Sequence, residues 1–196
     1  MTDVPDSNEE HGTIIDAAIR CFERYGPQRT SMSDIAEEAG ISRRTLYRAF
    51  DDRRALVEQL LFRRLMALGA TVRKRIDSAT NIEDALVDGS VFSVEAAEAD
   101  ALFIDVVSRE HDRSIERFLI GDERLRLAIV DVWRPILAAG RKAGRVRLEL
   151  SDERIVELIM SVQSIAQVRD DLDREGRRDL FRDLLIPAIL VPTAPS

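Results

Sequence analysis

TSMSDIAEEAGISRRTLYRAFDDRRAL, residues 30–56, reads as two short helices joined by a tight turn, with a third helix following at once. Ser31 can cap the first helix, and Asp34 lies in its first turn, where the helix dipole favours a negative charge. Ile35, Ala36 and Ala39 supply an apolar face. Gly40 falls where the chain must reverse, and glycine accepts the left-handed backbone required there. Ser42 caps the second helix, Leu46 and Phe50 face inward, and Arg43, Arg44, Thr45, Tyr47 and Arg48 are left largely outward. A short helix presenting arginine, threonine and tyrosine suits a DNA groove. The pattern is a helix-turn-helix.

Thr30-Ser31, Ile35-Ala36, Ala39-Gly40-Ile41-Ser42, Thr45-Leu46-Tyr47, Phe50 and basic Arg53 together resemble the DNA-binding domain of the TetR (tetracycline-repressor) family. The likeness covers the first quarter to third of the chain. Beyond it, only length and helical character fit. Three positions depart from the family pattern. Arg44 stands where glycine is common, Ala49 where an aromatic or histidine is common, and Arg53 where lysine is common. The arginines keep or add positive charge, so DNA binding is still expected. Base preference is open, because Arg44 is a large side chain on the reading face.

Physical roles follow for the candidate DNA-binding residues Thr30, Ser31, Ser42, Arg43, Arg44, Thr45, Tyr47, Arg48 and Arg53. Ser31 and the free amides beside it can hold a phosphate, with Thr30 assisting. Tyr47 can offer its hydroxyl to a phosphate, as the resemblance also implies. Arg53, near the start of the next helix, is expected to clamp backbone phosphate. Arg43, Arg44 and Thr45 lie at the start of the recognition helix, where base contacts concentrate. Arginine favours guanine O6 and N7, and the Thr45 methyl can touch thymine. Arg44 and Arg48 are each open between base and phosphate.

The net charge of −7 looks unfavourable for a nucleic-acid partner, but the distribution matters more than the sum. Five arginines fall between Ser42 and Arg54 against only Asp51 and Asp52; the acidic excess lies in the N-terminal tail and after residue 77. With 45% apolar residues, 196 positions suffice for a small DNA-binding unit plus one further helical domain. No run approaches the ~18 apolar residues of a membrane span. The acidic N-terminus lacks the regions of a signal peptide, so a cytoplasmic location is expected. A single cysteine, Cys21, sits among Ala18, Ile19 and Phe22 and reads as a buried thiol. His11 reads as exposed and His111 as part of a solvated loop end. Two distant histidines and one cysteine argue against a metal site or Cys-His catalysis, so no enzyme and no cofactor are expected.

Around the decisive stretch, Ile14, Ile15, Ala18, Ile19, Phe22 and Tyr25 recur at helical spacing and stop at Gly26-Pro27. A long helix from about Asp52 carries Leu56, Leu60, Leu61, Leu65, Leu68, Val72 and Ile76. The expected architecture is all-α. Residues 1–54 form a tail and three-helix DNA-binding domain, and the long helix joins it to a regulatory and dimerisation domain, 55–196. Segments 82–98, 99–111, 123–143, 152–172 and 177–190 read as its helices. Pro135 and Pro187 should kink or break theirs. Arg145–Leu150 alternates like a strand without a visible partner and reads as an extended connector.

Two stripes near the C-terminus, Ile155, Leu158, Ile159 and Val162, then Leu180, Phe181, Leu184 and Leu185, either pack on their own chain or form a dimer interface as a four-helix bundle. The dimer is favoured, because one short recognition helix reads few bases, and the resemblance implies it. Phe92, Phe103, Phe118, Trp133, Met160 and Gln163 are candidate lining of a small-molecule site, or ordinary core. The expected protein is a homodimeric regulator on a palindromic double-stranded DNA operator, without membrane contact. The resemblance implies a repressor released by a small apolar or amphipathic effector; the alternative is an orphan regulator with a filled core and no effector.

Overall fold

The computed structural model describes residues 7–109 and 121–192. Its elements are α-helices: α1 (Ser7–Tyr25), α2 (Met32–Glu38), α3 (Arg43–Ala49), α4 (Arg53–Asp77), α5 (Ile82–Ala99), α6 (Ala101–Arg109), α7 (Glu123–Lys142), α8 (Asp152–Gln167) and α9 (Arg174–Ile189). A one-turn 3-10 helix, Pro27–Arg29, sits between α1 and α2. The helix starts are built alike. Ser31, Ser42, Asp122, Ser151 and Asp173 each accept a hydrogen bond from the amide three residues on, meeting one donor that a helix start leaves open. Among the described residues no helix is long and apolar enough to cross a membrane.

The chain divides into two compact units, and the division falls inside α4, between Arg64 and Leu65. The described part of the first is residues 7–64 and 100–109. Ile14, Ala18 and Phe22 of α1, Ile35 of α2, Leu46 of α3, and Leu56, Leu60 and Leu61 of α4 are among its buried side chains. Cys21 is buried beside them, and loss of water pushes its thiol pKa up. Gly40 has φ 68°, the left-handed conformation that the α2–α3 turn needs. Arg64 holds both oxygens of Asp100 at 2.7 Å, and Asp100 Oδ1 also accepts from the Phe103 amide, so the start of α6 is fastened to α4.

The second unit, residues 65–99 with the described 121–192, has one apolar core. Val72 and Ile76 of α4, Leu86 and Val91 of α5, Trp133 and Leu137 of α7, Ile155 and Ile159 of α8, and Phe181 and Leu185 of α9 meet there. Helices α5 and α9 are also laced by the ion pairs Arg174–Glu95, Arg177–Glu98 and Arg178–Asp88.

Several expectations are revised. Helix α7 runs unbroken through Pro135. Proline at 135 removes the donor for the Asp131 carbonyl, and Arg73 Nη1 of α4 donates to that carbonyl instead, at 3.4 Å. Helix α9 likewise continues through Pro187, which lies only two residues from its end. The connector at 145–150 has a partner after all: Val146 forms an isolated antiparallel bridge with Leu190. Arg147 N donates to Ile189 O and Val191 N to Arg145 O, the two hydrogen bonds that make this bridge. Of the expected dimer residues, Ile155, Ile159, Val162, Phe181 and Leu185 are buried in their own chain's core and cannot face a partner. Leu158 and Leu180 are half-buried against that core, and Leu184 is 42% exposed. Both helices are amphipathic, as read, but the deeper side of each stripe points inward.

Candidate nucleic-acid interface

Helix α3 is held from three sides. Leu46 and Phe50 anchor it in the core of the first unit. At its start, Ser42 Oγ accepts from Thr45 N at 3.1 Å and lies 2.9 Å from Thr45 Oγ1. At its end, His11 of α1 donates through Nε2 to Ala49 O at 3.1 Å, and its ring meets Phe50 edge-on with centroids 5.1 Å apart. Glu10 of α1 pairs with Arg48 at 3.0 Å. Sequence reasoning missed this brace: His11 is half-buried, not exposed, because a helix N-terminal to the motif folds back onto it. The partners are 38 residues apart, so no local pattern announces them.

The outward side of α3 carries exposed Arg43, Arg44, Tyr47 and Arg48, with Thr45 half-buried between them. Arg44, Thr45, Tyr47 and Arg48 line one open surface depression. Arg48 is paired, but the pair is solvent-facing, so releasing it costs only ~0.2–1 kcal/mol. Arg43 and Arg44 have no side-chain hydrogen bond or ion pair among the described residues.

At the entrance to α2 the expected residues behave differently from one another. Ser31 is exposed and completes a capping box: its amide donates to Asp34 Oδ2 at 2.7 Å, while its hydroxyl receives the Asp34 amide at 3.3 Å. The Ser31 amide, then its hydroxyl, hold the Asp34 carboxyl below the usual carboxylate range. Thr30 departs from expectation. It is buried, and its hydroxyl donates to Gly26 O at 2.9 Å and Cys21 O at 3.2 Å, which fixes the turn and leaves nothing for a phosphate. Arg53 is also corrected. Its guanidinium points into the protein, donating to Thr30 O at 2.8 Å and Pro27 O at 2.6 Å, above the Phe22 ring. The Pro27 carbonyl, which already accepts from the Thr30 amide, has a second lone pair for the guanidinium, and the Thr30 carbonyl accepts beside it.

The expected small-molecule residues are distributed as follows. Phe118 lies outside the described residues, as does His111, and Phe103 belongs to the first unit. Trp133 is core, fitted beside Gly89, and Phe92 and Met160 pack on the same core. Gln163 is half-buried on α8. An open groove of about 220 Å³ does exist between α4 and α7, with walls from Leu65, Met66, Ala70, Ile129 and Val132 and with Arg73 at its edge. Phe92, Trp133, Met160 and Gln163 of the same unit are not among its lining residues.

A capped helix, a glycine turn and a braced second helix with free cations at its start define a helix-turn-helix DNA-binding protein. Residues 14–60 match the family model for bacterial regulatory proteins of the tetR family. The HTH-type transcriptional repressor KstR2 of Rhodococcus jostii (strain RHA1) is 30% identical over 151 residues, 71% of this chain and 69% of that repressor. The chain belongs to the tetR family and is a DNA-binding transcriptional regulator. Solved structures share its fold. Thermus thermophilus FadR, a repressor in complex with lauroyl-CoA, superposes with a TM-score of 0.63 at 20% identity, over 95% of this chain and 98% of that one. AlkX of Dietzia sp. strain DQ12-45-1b, implicated in n-alkane biodegradation, gives 0.65 at 22% identity, over 91% and 94%.

Proposed function

We propose that this regulator is a homodimeric repressor that binds a palindromic operator through α3 and is released by a small apolar or amphipathic effector. The observation that carries the DNA half is the pair of guanidiniums without a partner among the described residues, Arg43 and Arg44, at the exposed start of a braced helix. Exposed arginine at a recognition-helix start suits base edges or the phosphates flanking them. Such a protein works in the cytoplasm, where the DNA is.

Dimerisation rests on the outward side of the two C-terminal helices. Ile165 is 46%, Val168 78% and Leu184 42% exposed, and half-buried Leu158 and Leu180 extend this apolar face. A two-fold pairing would bury it. The effector half rests on the apolar groove beside Arg73 and on the lauroyl-CoA bound by a repressor of the same fold. The filled core around Trp133 and a groove below the ~300–1,000 Å³ of ordinary ligand clefts support the orphan reading instead.

Binding to duplex DNA tested against salt separates these ideas from a non-DNA role. A dimer that neutralises roughly 6–10 phosphates should lose ~10³–10⁵ in affinity between 50 and 200 mM salt. A flat response contradicts this surface. Adding fatty acyl-CoAs, long-chain alkanes or small phenols to the complex then tests the effector: release by one class supports it, and no release by any supports the orphan regulator.

A further inference from the structure

Three arginines near the helix-turn-helix have exposed side chains and no hydrogen bond or ion pair among the described residues: Arg43, Arg44 and Arg29. The other arginines around them are engaged. Arg20 and Arg24 of α1 share Glu38, Arg48 holds Glu10, Arg54 reaches Glu58, and Arg53 is turned inward. Arg29 ends the 3-10 turn, two residues before the Ser31 cap of α2.

The turn that carries Arg29 is held unusually firmly. Gly26 enters it at φ 82°, and Pro27 is buried and has a fixed φ. Thr30 Oγ1 closes it from behind onto Gly26 O and Cys21 O. Arg53 takes the carbonyls of Pro27 and Thr30, the residues on either side of Gln28-Arg29. Two residues expected to touch DNA, Thr30 and Arg53, are thus spent on fixing the backbone from which Arg29 projects. In a helix-turn-helix the first helix crosses the DNA backbone while the second enters the groove. A guanidinium at the entrance to that first helix meets phosphates rather than base edges, and its planar fork can hold a phosphate bidentately.

We infer that Arg29 is a phosphate contact of this regulator, presented to the DNA backbone by a turn that Arg53 and Thr30 brace. The inference rests on the proposed DNA-binding reading. It assigns the sequence-independent clamp, expected at Arg53, to Arg29.

The test compares wild type with Arg29→Ala, Arg29→Lys and, as a control for general charge loss, Arg20→Ala, on a duplex selected by the wild type from random DNA and on a scrambled one. Arg29 has no side-chain partner among the described residues, so thermal unfolding of its variants should match wild type. Arg29→Ala should weaken binding to both duplexes in proportion, about tenfold at low salt, and lower the salt slope by about 1 per protomer. Arg29→Lys should restore the slope, and Arg20→Ala should leave it unchanged. Wild-type affinity and slope in Arg29→Ala would overturn the inference and leave the DNA-binding reading intact. Loss of preference at a single base pair would also overturn it, in favour of base reading. A wild type that binds no duplex would remove both.

Discussion

Arg44 and Asp100 show how far one side chain's surroundings decide its work. Arg44 has no side-chain partner among the described residues and sits in the first turn of α3, so its guanidinium donors are available to DNA. A bidentate contact to guanine is worth ~1–3 kcal/mol against the wrong base. Arg44→Ala, measured on the best operator and its single-base variants, should lose preference at one symmetric G·C pair; uniform weakening would mean a phosphate contact, and no loss would refute both. Asp100 is committed inside the protein. Burial alone would raise its pKa, but the Arg64 hydrogen bonds and the Phe103 amide outweigh that and hold it below the usual carboxylate range. A depressed folded pKa means that the contribution is present above the unfolded value of about 3.9 and is lost as pH falls through the folded one. Asp100→Asn should therefore cost about 1 kcal/mol at pH 7, allowing for solvent screening, and the gap to wild type in urea unfolding should close below about pH 4.

Elements were legible where their signals are local. Ser31, Asp34, Gly40 and Ser42 fix α2, the turn and α3 through contacts within three or four residues, and the sequence pattern carries such contacts. Arg53 was misread because its acceptors lie 23 and 26 residues earlier, on a turn that only folding brings beside the start of α4. At Pro135 the helix does not break, and the group that meets the orphaned carbonyl, Arg73, is 58 residues from Asp131, equally beyond a local pattern. Close packing between elements is equally invisible to periodicity. Gly140 of α7 leaves no room for a methyl group, because an added Cβ would run into Ile82 Cδ1 and approach Val146 Cγ2 within 2.7 Å. Gly140→Ala should thus destabilise the second unit by about 1–3 kcal/mol, despite the better helix propensity of alanine, with chemical unfolding as the readout. A variant as stable as wild type would mean that Ile82 can move aside at no cost.

At the scale of the whole molecule, the C-terminal stripes were recognised as amphipathic but their two sides were not told apart. Periodicity says that a helix has an apolar face, not whether its own chain or a partner covers it. In the folded chain Phe181 is buried and Leu184 is 42% exposed, three positions further along α9. Phe181→Ala should cost about 3–5 kcal/mol of stability, as a large buried side chain does. Leu184→Glu paired with Ile165→Glu should leave the fold intact and yield monomers in light scattering at micromolar concentration. A wild type that is itself a folded monomer there would remove the dimer, and the palindromic operator with it.

In the proposed function, α3 reads DNA as one half of a two-fold pair. Selection of bound duplexes from random DNA, run with wild type and with the Arg43→Ala, Arg44→Ala double variant, tests it most directly. Wild type should enrich two inverted half-sites with centres about one turn, ~10–10.5 base pairs, or a multiple of it apart, and the double variant should lose that enrichment. No enriched sequence, or the same sequence enriched equally by the variant, would contradict it.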